Sequence, residues 1–215
     1  MNKPTTKDKI QEEALRQFNT IGSERVSIRN IAGALDISPG NLTYYYKNTD
    51  ALVHQLYLNL VEDLNAQIHV LRQQGEPDFA WLVEQTEATF RVMYKYKFLL
   101  LDFPAIARRI EPIRAHFRQL MESRKVEFRM LMLYWVEKGL LRAEWAPGLY
   151  DNLILQSMVL ANSWIGDSEL HFDGDPEQII PYYCNLFIGI IAPFLTEAGL
   201  VTYAVWKGGH LTFNI

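Results

Sequence analysis

With 215 residues, 49% of them hydrophobic and 21% charged, the chain has an ordinary globular balance and room for one large or two small domains. One cysteine, Cys184, excludes an intrachain disulfide framework and a multi-cysteine zinc site. The opening MNKPTTKDKIQEEAL has no apolar run of a secretory signal, and stretches such as LYDNLILQSMVLANSWI are too polar for a membrane span. A cytoplasmic location without a membrane partner is therefore expected. The net charge of −4 is uneven: residues 1–50 hold seven Lys/Arg against six Asp/Glu, and the remainder fourteen against nineteen.

The chain reads as helix after helix. Ile10, Ala14, Leu15, Phe18 and Ile21 recur at helical spacing and Gly22 stops the first helix. Ser27 caps a second, with Ile28, Ile31, Ala32 and Leu35 on one face, and Asp36-Ile37 links it to a third. That third helix starts at Ser38-Pro39 and ends near Tyr46, in the run SPGNLTYYYKNTDAL. Three consecutive tyrosines cannot all point inward, because successive side chains on a helix lie about 100° apart. Thr49 is expected to cap a fourth helix, with Asp50 at its positive end and Leu52, Val53, Leu56, Leu60, Leu64, Ile68 and Leu71 along one face; QQGEPD at 73–78 ends it.

Beyond that boundary the spacing predicts helices over about 79–101, a short one after Pro104, about 112–138 up to Gly139, and about 147–165. The segment GDSELHFDGD reads as a loop, and Asp175-Pro176-Glu177-Gln178 as a capping-box start. The last helix is expected to reach about Ala198, with a late start or kinks at Pro181 and Pro193. The tail VTYAVWKGGHLTFNI alternates loosely and reads as a short extended segment.

Two short helices joined by a tight link make a helix-turn-helix, whose second helix can enter a DNA major groove about 12 Å wide. Ser38, Pro39, Gly40 and Asn41 are small enough for the third helix to approach DNA closely. A plain helical hairpin is the competing reading of the spacing alone. Residues 7–64, from ALRQFNTIGSERVSIRNIAGALDISPGNL through YYYKNTDALV, resemble the DNA-binding domain of the TetR family of bacterial transcriptional regulators. Phe18, Gly22, Ser27, Ile31, Ala32, Leu42, Tyr44 and Leu52 occupy the places of that pattern. Thr43 stands where the family usually has tyrosine, and Thr49 where it usually has a phosphate-contacting lysine.

The resemblance implies an all-α fold: a three-helix DNA-binding domain over 1–48, a connecting helix over 49–74, and a ligand-binding and dimerisation domain over 75–215. It implies a homodimer on a palindromic double-stranded operator, acting as a ligand-responsive repressor. The DNA-contact set is Ser27, Arg29, Ser38, Pro39, Gly40, Asn41, Thr43, Tyr44, Tyr45, Lys47 and Thr49. With no arginine in the third helix, Asn41 is the best candidate base reader, with adenine its natural partner. Tyr46 stands at the family's buried aromatic position.

In the second domain, Phe90, Tyr94, Phe98, Phe103, Phe128, Met132, Trp135, Met158 and Trp164 would line a cavity for a small apolar ligand, though any one of them more often packs a core. Arg108, Arg109 and Arg114 could meet an anionic group. Ile154, Met158, Ala161, Ile179, Phe187, Ile191 and Phe194 could build a two-fold four-helix interface or a monomer core. The five histidines form no HxH or HExxH pair, no P-loop or GxGxxG occurs, and neither cofactor nor metal is expected. An all-α enzyme on an apolar substrate, or an interaction module with weakened DNA binding, are the alternatives.

Overall fold

A computed structural model describes residues 4–72, 77–173 and 175–210 of the chain. It is all-α: among the described residues there are eleven α-helices and no strand beyond an isolated bridge between Leu141 and Leu195. No helix among them is long and apolar enough to cross a membrane. The chain forms two compact units, Met1–Asn65 with Val92–His116, and Ala66–Arg91 with Phe117–Ile215.

In the first unit, α1 (Thr6–Ile21) starts at a reciprocal cap between Thr5 and Asp8 and stops at Gly22, whose φ of 82° suits a residue without Cβ. α2 (Ile28–Ala34) starts at a second reciprocal cap, Ser27 with Asn30. It ends with the N–H of Ile37 on the carbonyl of Ala32 and that of Asp36 on Gly33, the two bonds of a Schellman turn. Asp36 occupies the left-handed position at φ 54°, which a short polar side chain tolerates. That turn aims α3 (Pro39–Tyr45), where Ser38 accepts the N–H of Asn41. Ile10, Ala14, Phe18, Ile31, Ala32, Leu42, Leu52, Val53 and Leu56 are essentially fully buried and lock these helices together.

α4 (Thr49–Arg72) begins one residue earlier in its capping than expected. Asn48, not Thr49, is the cap: its Oδ1 accepts the N–H of Ala51 at 2.9 Å. Where QQGEPD falls, residues 73–76 lie outside the described part. The helix expected over 79–101 is two, α5 (Phe79–Lys95) and α6 (Lys97–Leu101). Asn19 of α1 explains the break, donating to the Lys95 carbonyl at 2.9 Å and accepting from the Phe98 N–H at 3.1 Å. α7 (Phe103–Arg109) carries Pro104 in its first turn.

In the second unit, α8 (Glu111–Glu137) and α9 (Leu149–His171) pack with α10 (Pro176–Gly189) around Trp135, Tyr150, Leu153, Ile154 and Ile188. α8 starts in the first unit, where Ile113 is buried. α9 runs six residues past its expected end. Continuing the helix buries Ser168, whose hydroxyl bonds back to the Ile165 carbonyl, so Gly166 is carried inside it and GDSELH is not a loop. Asp175 caps α10 through the N–H of Glu177, and Gly174 lies outside the described part. The last expected helix is also divided. Pro193 sits in a single 3-10 turn (Ala192–Phe194), and Thr196 caps a new helix, α11 (Glu197–His210). Residues 201–210 are therefore helical, not extended, because a capped start outweighs a loose alternation; 211–215 lie outside the described part.

Candidate nucleic-acid interface and apolar cavity

The three tyrosines divide as a helix demands. Tyr44 is 84% exposed, Tyr45 is at the edge at 39%, and Tyr46 is buried at 5%. The rings of Tyr44 and Tyr45 meet edge to face with centroids 5.2 Å apart. Ser38, Pro39, Gly40, Asn41 and Thr43 are exposed on the same short helix. A methyl added at Gly40 would meet only the Ser38 hydroxyl, at 3.9 Å, so nothing within the unit requires glycine there.

The polar groups on this face are not equally free. The Ser27 hydroxyl is committed to Asn30 and that of Ser38 to the N–H of Asn41. Thr43 Oγ1 donates to the Gly40 carbonyl at 3.0 Å, so its methyl and its lone pairs are what remain outward. The Asn41 side-chain amide makes no hydrogen bond among the described residues and keeps both donor and acceptor for a partner. Arg29 and Lys47 are exposed and take part in no ion pair among the described residues. Thr49 is half-buried in the first turn of α4.

Several other charges of the first unit are paired within it. Arg109 donates to Asp50 at 2.9 Å and lies 3.9 Å from Glu24, and Arg114 pairs with Glu111. These arginines are therefore spent on carboxylates of their own unit rather than standing free for an anion. Lys95 and the Tyr96 hydroxyl both bond Asp63, at 2.8 and 2.9 Å.

The nine aromatic and methionine residues expected around a cavity are not brought together. Tyr94, Phe98 and Phe103 belong to the first unit, where Phe98 packs on Phe18 and Phe103 on Tyr57. In the second unit Phe128, Met132 and Trp135 line a cavity of about 30 Å³ with Leu82, Leu131, Leu153, Ser157, Phe187, Ile188 and Ile191. Met158 packs in the core around it, while Phe90 stacks on Trp164 with centroids 4.9 Å apart. The lining is apolar except for Ser157, whose hydroxyl is committed to the Leu153 carbonyl. Leu82 and Leu153 carried no signal to distinguish them from other core leucines.

The residues expected at a two-fold interface are mostly core: Ile154, Met158, Ile179 and Ile191 are buried within the unit, and Phe187 and Phe194 pack against its core. Ile154, Met158 and Ile191 share their core with Leu82 of α5 and with Met132 and Trp135 of α8. The apolar residues left outside on α9 are Leu155, Val159 and Leu170, which share one face with Ser163 and Gly166. Burial pushes the Cys184 thiol up to about 12, which makes it an inert core group. No group of three or more potential metal ligands occurs among the described residues.

Two family models match the chain: the tetR family of bacterial regulatory proteins over residues 10–56, and the TetR bacterial transcriptional repressor domain over residues 59–203. A probable HTH-type transcriptional regulator of Bacillus subtilis, YttP, is 37% identical over 60 residues, 28% of this chain and 29% of that protein's length. The shared stretch is thus under a third of the relative. Among solved structures, a TetR-family regulator from Marinobacter aquaeolei superposes with a TM-score of 0.86 at 16% identity, covering 97% of this chain and all of the other. The ketosteroid transcriptional regulator KstR2 of Mycobacterium tuberculosis does so with a TM-score of 0.71 at 14% identity, over 91% of this chain and 98% of the other. These likenesses establish the fold, and the family models, which together reach from the helix-turn-helix to α11, establish the kinship: the chain belongs to the TetR family of bacterial transcriptional regulators, DNA-binding proteins rather than enzymes.

Proposed function

We propose that the chain is a homodimeric repressor that holds a palindromic operator and releases it when a small apolar molecule enters the second unit. The observation that carries the DNA half is the outward face of α3, where a free Asn41 amide stands beside Gly40, the Thr43 methyl and the Tyr44 ring. Asn41 reads a base, adenine above all. Thr43 and Tyr45 serve thymine methyls, and Tyr44, Lys47, Arg29 and Thr49 serve phosphates. Ser27, Ser38 and Pro39 act through the helix starts that they form. A dimer follows from the target, because paired recognition helices read half-sites about 34 Å apart. The outward stripe Leu155–Val159–Ser163–Gly166–Leu170 of α9 supports a close two-fold helix contact, its small residues letting backbones approach.

The ligand half rests on the lining of the cavity. A site of about 30 Å³ holds a water or two and no drug-sized molecule. A ligand therefore enters by displacing the half-buried Phe128 and Phe187 rings, and it is apolar because no free polar group waits for it. In this reading the ligand-bound shape moves α4 and with it the spacing of the recognition helices.

The test is selection of duplexes from a randomised pool by the purified protein at moderate salt. Enrichment of an inverted repeat, bound more weakly by Asn41→Ala, supports the reading; no enrichment overturns it. A ketosteroid is the first ligand probe, and operator affinity unchanged at saturating occupancy would remove the release step.

A further inference from the structure

Three elements of the first unit meet through one run of side-chain hydrogen bonds. Gln55 on α4 donates from Nε2 to Oδ1 of Asn59 at 2.9 Å. Asn59 donates from Nδ2 to Oε1 of Gln11 on α1 at 2.7 Å. Gln11 donates from Nε2 to the hydroxyl of Tyr46, at the end of α3, at 2.5 Å. The polarity is consistent along the run, since both inner amides accept at oxygen and give from nitrogen. All three amides are half-buried, so water competes only weakly for them.

α3 is too short to hold its own direction, because a helix of seven residues gains little from its internal bonds. It is held at two points. Leu42, fully buried, is the pivot near its middle. Tyr46 is the far point: its N–H closes the helix on the Leu42 carbonyl at 3.0 Å and its ring is buried. Apolar burial is non-directional and lets a ring slide, whereas a hydrogen bond to the hydroxyl fixes the ring's reach.

We propose that Gln11 and Asn59 are positioning residues for DNA recognition, acting through the Tyr46 hydroxyl to set the direction of α3 against α1 and α4. The proposal rests on the reading of α3 as the element that enters the groove. Loss of the relay leaves the reading face intact but misaimed.

The test uses the full-length protein, the duplex that it selects from a randomised pool, and the variants Tyr46→Phe, Gln11→Leu and their double. Tyr46→Phe keeps the ring and removes only the hydroxyl. Each single variant is expected to weaken binding by about fivefold to tenfold, the worth of one lost, partly buried hydrogen bond. The double is expected to be no weaker than the poorer single, because both break the same run. The dependence on salt stays unchanged, since no phosphate contact is lost. Without DNA, amide exchange over residues 42–46 quickens in each variant while that of α8 does not. Multiplicative loss in the double, unchanged binding, or unchanged exchange over 42–46 overturns the relay. A changed salt slope shows that charged phosphate contacts, and not only the aim of α3, depend on these residues and also overturns it. If the wild-type protein selects no duplex, the DNA reading fails separately, and the exchange measurement still decides whether the relay holds α3.

Discussion

The hydroxyl of Tyr57 lies 2.9 Å from Nδ1 of His116, and the two rings meet edge to face. Tyr57 is buried in α4, and burial pushes its phenol up to about 12, so the hydroxyl keeps its proton and can donate it to Nδ1. His116 is half-exposed and sits at the point where α8 leaves the first unit.

That asymmetry of burial predicts an asymmetry of cost. Tyr57→Phe removes the buried donor and leaves His116 Nδ1 to water, at about 1 kcal/mol. His116→Phe keeps a ring but leaves the buried hydroxyl without its acceptor, at about 1–3 kcal/mol. Urea unfolding of both variants measures the order, and a costlier Tyr57→Phe contradicts it.

Gly199 is the position in α11 where no Cβ fits. One built there would stand 2.2 Å from the carbonyl oxygen of Leu140 and 3.1 Å from Leu195 Cδ2. The contact is with backbone, pinned by the Thr196 N–H on that same carbonyl at 3.0 Å, so it cannot give way cheaply. Gly199→Ala is expected to destabilise the protein by about 1–3 kcal/mol despite alanine's better helix propensity. An unchanged or raised thermal midpoint counts against this close approach.

Glu13 accepts from Arg16 at 2.6 and 2.9 Å and from Gln17 at 2.7 Å. The Arg16 bond above all holds its carboxyl below the usual range. A lowered carboxyl contributes stability above its unfolded value, and that contribution is lost as pH falls through the folded one. Glu13→Gln should therefore flatten the decline of stability between roughly pH 5 and pH 3 and lower stability at neutral pH by the same amount, a small one because the pair is partly solvated. Unfolding midpoints across that range test it; an equally steep decline in the variant argues that Glu13 takes no part.

The first unit was legible in the sequence because its signals are local. Ser27, Ser38 and Gly22 mark helix ends through their own backbone, and Asn41 is exposed because its neighbour Leu42 is not. The misses are tertiary. Asn19 breaks the helix at Tyr96 from a distance of 76 residues along the chain, which no local pattern announces. Phe187 and Ile191 read equally well as interface or core, and only the packing of α5 and α8 against them decided for the core. The cavity aromatics fall in both units for the same reason: density along a sequence does not say which rings share a space.

Thr49 stands where the resemblance implies a phosphate-contacting lysine, and its surroundings make that departure testable. Asn48 supplies the cap of α4, so a new side chain at Thr49 leaves the start of the helix in place. Thr49→Lys adds a cation next to the exposed Lys47, at a cost of about 0.3–1 kcal/mol from the helix dipole. If position 49 faces a phosphate, the variant binds its selected duplex more tightly and the salt slope steepens by about one. The preferred base sequence should not change, because a phosphate contact carries no sequence information. A titration against salt, with wild type and variant on the same duplex, reads both quantities. A tighter complex with an unchanged slope would place the lysine away from the backbone, and an altered base preference would move Thr49 into the reading set with Asn41.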